Sequence, residues 1–136
     1  MNILITGASG FIGTHIVKRL LTAGHSIISV DRGHGYDFNK LTSKNAWLPL
    51  LNNVDVVINC VGIIIESRHQ SFSVLHHLAP DALFHACVDA GIKRIIQISA
   101  LGADEQAISS YHLSKKAADD VLRNLNIEWF ILRPSL

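Results

Sequence analysis

Cysteine is scarce in this sequence. Cys60 and Cys87 are the only two, both among apolar neighbours, so free thiols in a cytoplasmic protein are expected rather than a disulfide framework. Long hydrophobic runs are missing as well. The longest, Val54 to Ile65, spans 12 residues and carries Asp55 and Asn59, too short and too polar to cross a bilayer, so no membrane insertion is expected. The N-terminus enters an apolar strand with neither a basic region nor a small-residue cleavage site, the pattern of a chain without a secretory signal. No excess of one charge is present: 12 Lys and Arg stand against 11 Asp and Glu, net +1, with no basic cluster, which argues against nucleic acid as a partner. Repeats, linkers and low-complexity stretches are absent. There are eight histidines, but His76, His77, His85 and Cys87 show no metal-ligand spacing, so no metal is expected and the histidines read as surface or half-buried.

What is present is apolar content, 49% with a mean hydropathy of +0.29 over 136 residues. That suits one α/β domain whose central strands are buried on both faces. Ile3, Leu4 and Ile5 read as a short strand, Gly7, Gly10 and Gly13 punctuate a turn, and a helix starts at Phe11. A strand, a glycine turn and a helix N-terminus cradle a phosphate: backbone comes close with no side chain in the way, and unpaired N–H groups point at the anion. The spacing is G-x-x-G-x-x-G rather than the standard G-x-G-x-x-G.

Ile12, Ile16, Val17, Leu20 and Leu21 recur at helical spacing up to Gly24, and Ser26 to Val30 is a second strand ending at Asp31. Asp31 lies 18 residues past Gly13, where a carboxylate accepts from adenosine ribose hydroxyls and opposes a 2′-phosphate. Arg32 pulls the other way, since a guanidinium pairs with that phosphate. Residues 33–53 are too few for two full elements, so a short or missing third strand is expected near Tyr36–Phe38, where Asp37 either reaches an adenine amino group or is solvated. Val54 to Asn59 is the next strand, followed by Cys60-Val61-Gly62, a second close backbone approach. A helix over about Gln70 to Ala90 contains Pro80, which either kinks it or starts a second segment. Arg94 to Ile98, a helix with Ala117, Ala118, Val121, Leu122 and Leu125 on its apolar face, and Ile127 to Leu132 complete the alternation, before an Arg133-Pro134-Ser135-Leu136 turn. The pattern predicts a doubly wound parallel sheet, the Rossmann fold, of order 3-2-1-4-5-6, shortened around the third strand.

Tyr111 and Lys115 are four apart at the head of a helix and share a face. An ammonium beside a phenol favours its phenolate and makes it a usable acid–base group; the lysine also suits a nicotinamide ribose. Ser99, 12 residues earlier at a strand end, is placed to orient a substrate oxygen.

Together, Thr6-Gly7-Ala8-Ser9-Gly10-Phe11-Ile12-Gly13, Asp31, Asn59-Cys60-Val61-Gly62, Ser99-Ala100-Leu101-Gly102-Ala103, Tyr111-x-x-x-Lys115 and Arg133-Pro134-Ser135 resemble the extended or atypical short-chain dehydrogenase/reductase superfamily. Val57 to Ile64 and Ile98 to Asp104 are closest to a subgroup holding nucleotide-sugar epimerases or dehydratases and the dehydrogenase-like accessory subunit of respiratory complex I. The resemblance implies NAD or NADP as cofactor, held by Gly7, Ser9, Gly10, Phe11, Ile12 and Gly13 at the pyrophosphate and by Asp31, Arg32 and Asp37 at the adenosine. Cys60, Val61 and Gly62 would approach the cofactor and Pro134 would line the nicotinamide, with Ser99, Tyr111 and Lys115 as the catalytic trio. It implies an oxidoreductase or epimerase acting on a small molecule, with a non-catalytic sensor, assembly factor or subunit as the alternative, and a homodimer is common in the family. Three departures stand out: the compressed segment after the second strand, a serine-to-tyrosine distance closer to the non-extended members, and a chain ending where the family continues into a substrate domain. The last makes an N-terminal fragment of a longer protein the expectation.

Overall fold

The computed structural model describes residues 1–135. The C-terminal turn is therefore seen as far as Ser135, and Leu136, which the sequence reading includes in it, lies outside the described residues.

Five strands form one parallel sheet: β1 (Asn2–Thr6), β2 (Ser26–Val30), β3 (Val56–Asn59), β4 (Arg94–Ile98) and β5 (Glu128–Leu132), in spatial order β2-β1-β3-β4-β5. That is the expected 3-2-1-4-5-6 order with the third strand missing. β1 and β3 are runs of apolar, mostly β-branched residues because both their faces are covered. Ile3, Ile5, Val56 and Ile58 meet Ile16, Val17 and Leu20 of α1 (Phe11–Thr22) on one side. Leu4, Val57 and Ile95 point to the larger core on the other, with Trp47, Leu83, Phe84 and Leu122. On β5, Trp129 and Ile131 pack against that larger core, and the alternating Phe130 and Leu132 are exposed.

In place of a third strand the chain makes two 3₁₀ turns, Arg32–His34 and Phe38–Lys40, capped by Asp31 and Asp37. The short helix α2 (Lys44–Trp47) follows, capped by Ser43. The apolar residues of this stretch are spaced for burial from one side only: Phe38 and Trp47 are buried with ring centroids 5.8 Å apart, and the Trp47 indole donates to the Leu41 carbonyl at 2.8 Å.

The helix around Pro80 is continuous. A wide π-helical stretch, Ser73–Leu78, runs directly into α3 (Ala79–Asp89). Proline lacks an N–H and its ring crowds the carbonyl one turn back, which the first turn of a helix tolerates. Pro80 stands in the first turn of α3, so the α-helical segment starts at the proline as one of the two expectations had it, with the wider π-helical stretch leading directly into it. The last helix, α4 (Ser110–Arg123), is capped by Ser109, which accepts from the His112 N–H. Its buried residues are Lys115, Ala118, Asp119 and Leu122, so the face turned to the sheet includes two ionisable side chains as well as the expected apolar ones. No helix among the described residues is long and apolar enough to cross a membrane.

Candidate functional site

All five strands are parallel, so their C-terminal ends open on one edge, where a doubly wound sheet binds ligands. A cleft of about 510 Å³ lies there. Its floor is the turn after β1, its walls are the Cys60–Ile64 loop after β3 and the Ile98–Leu101 segment after β4, and Tyr111, His112, Lys115, Pro134 and Ser135 close it.

The glycine turn is built for close approach of backbone. Gly7 has φ +65°, and a Cβ on it would come 2.9 Å from the Cys60 carbonyl group. A Cβ on Gly13 would overlap the Gly7 carbonyl oxygen. No side chain caps α1, whose first turn lines the cleft together with Gly10, leaving its N–H groups for an anion. Gly10, Phe11, Ile12 and Gly13 thus share one cleft with Cys60, Val61, Gly62, Ser99, Tyr111, Lys115 and Pro134, eleven of the residues singled out in the sequence.

Asp31, Arg32 and Asp37 do not line that cleft. Arg32 and Asp37 line a smaller hollow of about 230 Å³ with Phe38, Asn39, His69, Gln70 and Leu75. Asp31 sits at the end of β2, almost wholly buried, and its oxygens are engaged: it accepts from the Ser9 N–H at 3.0 Å and from the His34 N–H and ring Nδ1 at 3.0 and 2.8 Å. Burial pushes the Asp31 carboxyl up, but those hydrogen bonds outweigh it and hold it below the usual carboxylate value.

Lys115 is buried, and its Nζ donates to the Ile98 carbonyl at 3.0 Å. Burial brings its pKa down to about 8 even though the charge of Asp119 favours the ammonium. The Tyr111 ring is packed edge-on against Phe72, His76 and His112, with centroids 5.9, 5.4 and 5.1 Å away.

Ser99 lines the cleft, and its hydroxyl donates to Asp119 Oδ2 at 2.5 Å in a buried bond, which commits its proton and leaves its oxygen to accept. Asp119 ends a row of buried polar groups that crosses the sheet. Thr6 Oγ1 donates to Asn59 Oδ1, Asn59 Nδ2 to Gln97 Oε1 at 2.7 Å, and Gln97 Nε2 to Asp119 Oδ1 at 3.3 Å. Burial raises the Asp119 carboxyl above its ordinary value against the pull of Ser99, Gln97, Lys115 and Arg133. Sequence reasoning missed this row; the available signal was the four-residue spacing of Lys115 and Asp119, in step with Ala118 and Leu122.

His76 is a second omission and a correction. Read as a surface or half-buried histidine, it is 1% exposed. Burial, then the nearby Lys115 charge, pushes its pKa down to about 3. Among the described residues no three His, Cys, Asp or Glu side chains group as metal ligands, and Cys60 and Cys87 are free thiols. Burial raises both thiols, Cys60 to about 12.

Comparison with known proteins adds to the geometry. The model of the NAD dependent epimerase/dehydratase family matches residues 3–135. The chain is 28% identical over 147 aligned residues to NADH dehydrogenase [ubiquinone] 1 alpha subcomplex subunit 9, mitochondrial, of Mus musculus, covering 96% of this chain and 39% of that protein. It is 29% identical to the ceramide reductase of Caulobacter vibrioides, covering 97% of this chain and 45% of that one. Among solved structures it resembles MoeE5 in complex with UDP-glucose and NAD, at a TM-score of 0.76 and 25% identity, over 96% of this chain and 52% of that one. The chain thus spans less than half the length of these two curated relatives.

Proposed function

The chain belongs to the NAD dependent epimerase/dehydratase family, and we propose that it is the cofactor-binding part of an oxidoreductase or nucleotide-sugar epimerase or dehydratase. The observation that carries this reading is the single cleft in which the capless start of α1, the Cys60–Gly62 approach, Tyr111 and Lys115 meet. The α1 N–H groups and the glycine turn suit a pyrophosphate. Val61, Gly62 and Pro134 suit the nicotinamide end, and Arg32 and Asp37 the adenosine. NAD is favoured by the negative charge of Asp31, and the exposed Arg32 admits NADP.

The bound dinucleotide supplies the hydride chemistry. In this reading the chain's own residues manage the proton. Tyr111 passes it to or from the substrate oxygen. Lys115, which has spent one N–H on the Ile98 carbonyl, keeps two for a ribose hydroxyl and lends its charge to the phenolate form. Ser99 acts at one remove, by holding Asp119. Substrate choice belongs to the remainder of a longer protein, a helix-face homodimer fits the same reading, and the free thiols fit a reducing compartment such as the cytoplasm.

Tyr111→Phe in the complete protein is expected to lower turnover at least ~100-fold, the usual scale of a general acid–base contribution, while leaving the dissociation constant for NAD within about a factor of two. Unchanged turnover would sink the assignment. A second reading, a non-catalytic NAD(P)-binding sensor, assembly factor or subunit, is favoured by the commitment of the Ser99 hydroxyl to Asp119 and by the likeness to a subunit of a larger dehydrogenase. Cofactor that binds tightly yet is neither oxidised nor reduced across a broad substrate panel supports that reading.

A further inference from the structure

His76 is the one histidine of eight that is fully buried, and both its ring nitrogens are used. Nε2 accepts from the Ile63 N–H at 3.0 Å. On the opposite edge Nδ1 lies 2.9 Å from Ser114 Oγ. The Ser114 hydroxyl gives its proton to the Tyr111 carbonyl at 2.8 Å, so it receives from His76. The ring is therefore the neutral Nδ1–H tautomer, with one donor and one acceptor, each paired. The ring is packed as well: Phe72 stacks on it at 5.3 Å and 12°, and the Tyr111 ring stands perpendicular to it at 5.4 Å and 87°. The ring comes from the π-helical stretch Ser73–Leu78, and a Cβ on Gly62 would sit 3.6 Å from its Nε2 and 3.7 Å from Lys115 Nζ.

We propose that His76 is a positioning residue that ties the Cys60–Ile63 loop to the Tyr111 end of α4, so that the backbone beside the dinucleotide and the phenol are held as one unit. It rests on the reading of the cleft as a dinucleotide site, because the loop it fixes is the one that approaches the cofactor. The physical reason for a histidine is its span. A single rigid side chain satisfies a loop N–H on one edge and a helix hydroxyl on the other, and still packs against the Tyr111 ring. The burial that keeps it neutral also keeps Nε2 an acceptor, which the loop N–H requires.

The test separates the two ring edges. A glutamine amide reaches the Nε2 position, an asparagine amide the Nδ1 position, and phenylalanine keeps the stacking with neither hydrogen bond. In the complete protein, NADH affinity is measured for His76→Phe, His76→Gln and His76→Asn, together with hydrogen exchange at the Ile63 amide and the thermal midpoint. His76→Phe is expected to bind NADH ~10-fold more weakly, the scale of losing one buried hydrogen bond, with accelerated exchange at Ile63. His76→Gln is expected to recover most of the affinity and the protection, and His76→Asn to recover neither, at similar thermal midpoints for the two. A folded His76→Phe that binds as the native protein does overturns the proposal. If His76→Phe does not fold, glutamine and asparagine variants with equal affinity and equal Ile63 exchange overturn it instead. A native protein that binds no dinucleotide refutes the cofactor reading alone; the Ile63 exchange rates still decide whether His76 holds the loop.

Discussion

Lys115 carries its charge into a place that opposes it. Its ordinary pKa of 10.5 falls to about 8 through burial, so the ammonium is present below about pH 8 and is lost above it. The unfolded chain keeps that proton up to the ordinary value, so stability rises with pH between the two values, and below them the buried charge weakens the fold. Two consequences are measurable. Affinity for NADH, titrated between about pH 6 and about pH 10, is expected to fall as pH rises through about 8, and Lys115→Met is expected to be weak and flat over the same range. The thermal midpoint of Lys115→Met at neutral pH is expected to equal or exceed the native one, because a methionine needs no hydration. Lys115 and Tyr111 were both legible in the sequence through their spacing on one helix face. What their side chains meet was not: Ile98, Phe72 and His76 come from other elements.

The glycine turn between β1 and α1 shows how closely one element can be specified. Its three glycines have unequal tasks. A Cβ on Gly10 would stand 3.3 Å from the Gly7 carbonyl oxygen, a contact that small shifts relieve, whereas on Gly13 it would occupy the space of that same oxygen. Gly13→Ala is therefore expected to cost about 1–3 kcal/mol in urea unfolding and to abolish NAD binding in calorimetry. Gly10→Ala is expected to cost less and to bind more weakly without losing the site. At the same scale, Pro80 was visible as a helix breaker or starter, but the π-helical stretch that leads into it was not. Proline states what a helix must give up; the packing of Ala79, Pro80, Ala82 and Leu83 into the core decides that the helix continues.

Across the whole molecule, the sheet omits one strand and compensates with Phe38, Leu41, Trp47 and Leu51, all buried in the larger core. Trp47 is the largest fully buried side chain, and its indole proton is paired. Trp47→Ala is expected to cost about 3–5 kcal/mol in equilibrium unfolding, and a loss under about 1 kcal/mol would mean that this stretch does not close the core. Parallel registers align Thr6 with Asn59 and Asn59 with Gln97, which lets a polar row cross from β1 to α4 beneath the cleft. Each bond joins residues at least 22 positions apart, so the row exists only once the sheet has formed.

By itself the sequence determined the alternation of strands and helices, a third strand that is short or missing, the strand order and the glycine turn. Those follow from local periods, from breakers and from the number of residues between Asp31 and Val54. It also marked most of the cleft lining, because a parallel sheet brings every strand's C-terminal end to one edge. Only the tertiary structure decided which polar groups are already spent. Ser99 donates to Asp119, Asp31 is held by Ser9 and His34, and His76 is buried between a loop and a helix. A side chain's type states which hydrogen bonds it can make; which one it makes depends on neighbours that the chain order leaves far apart.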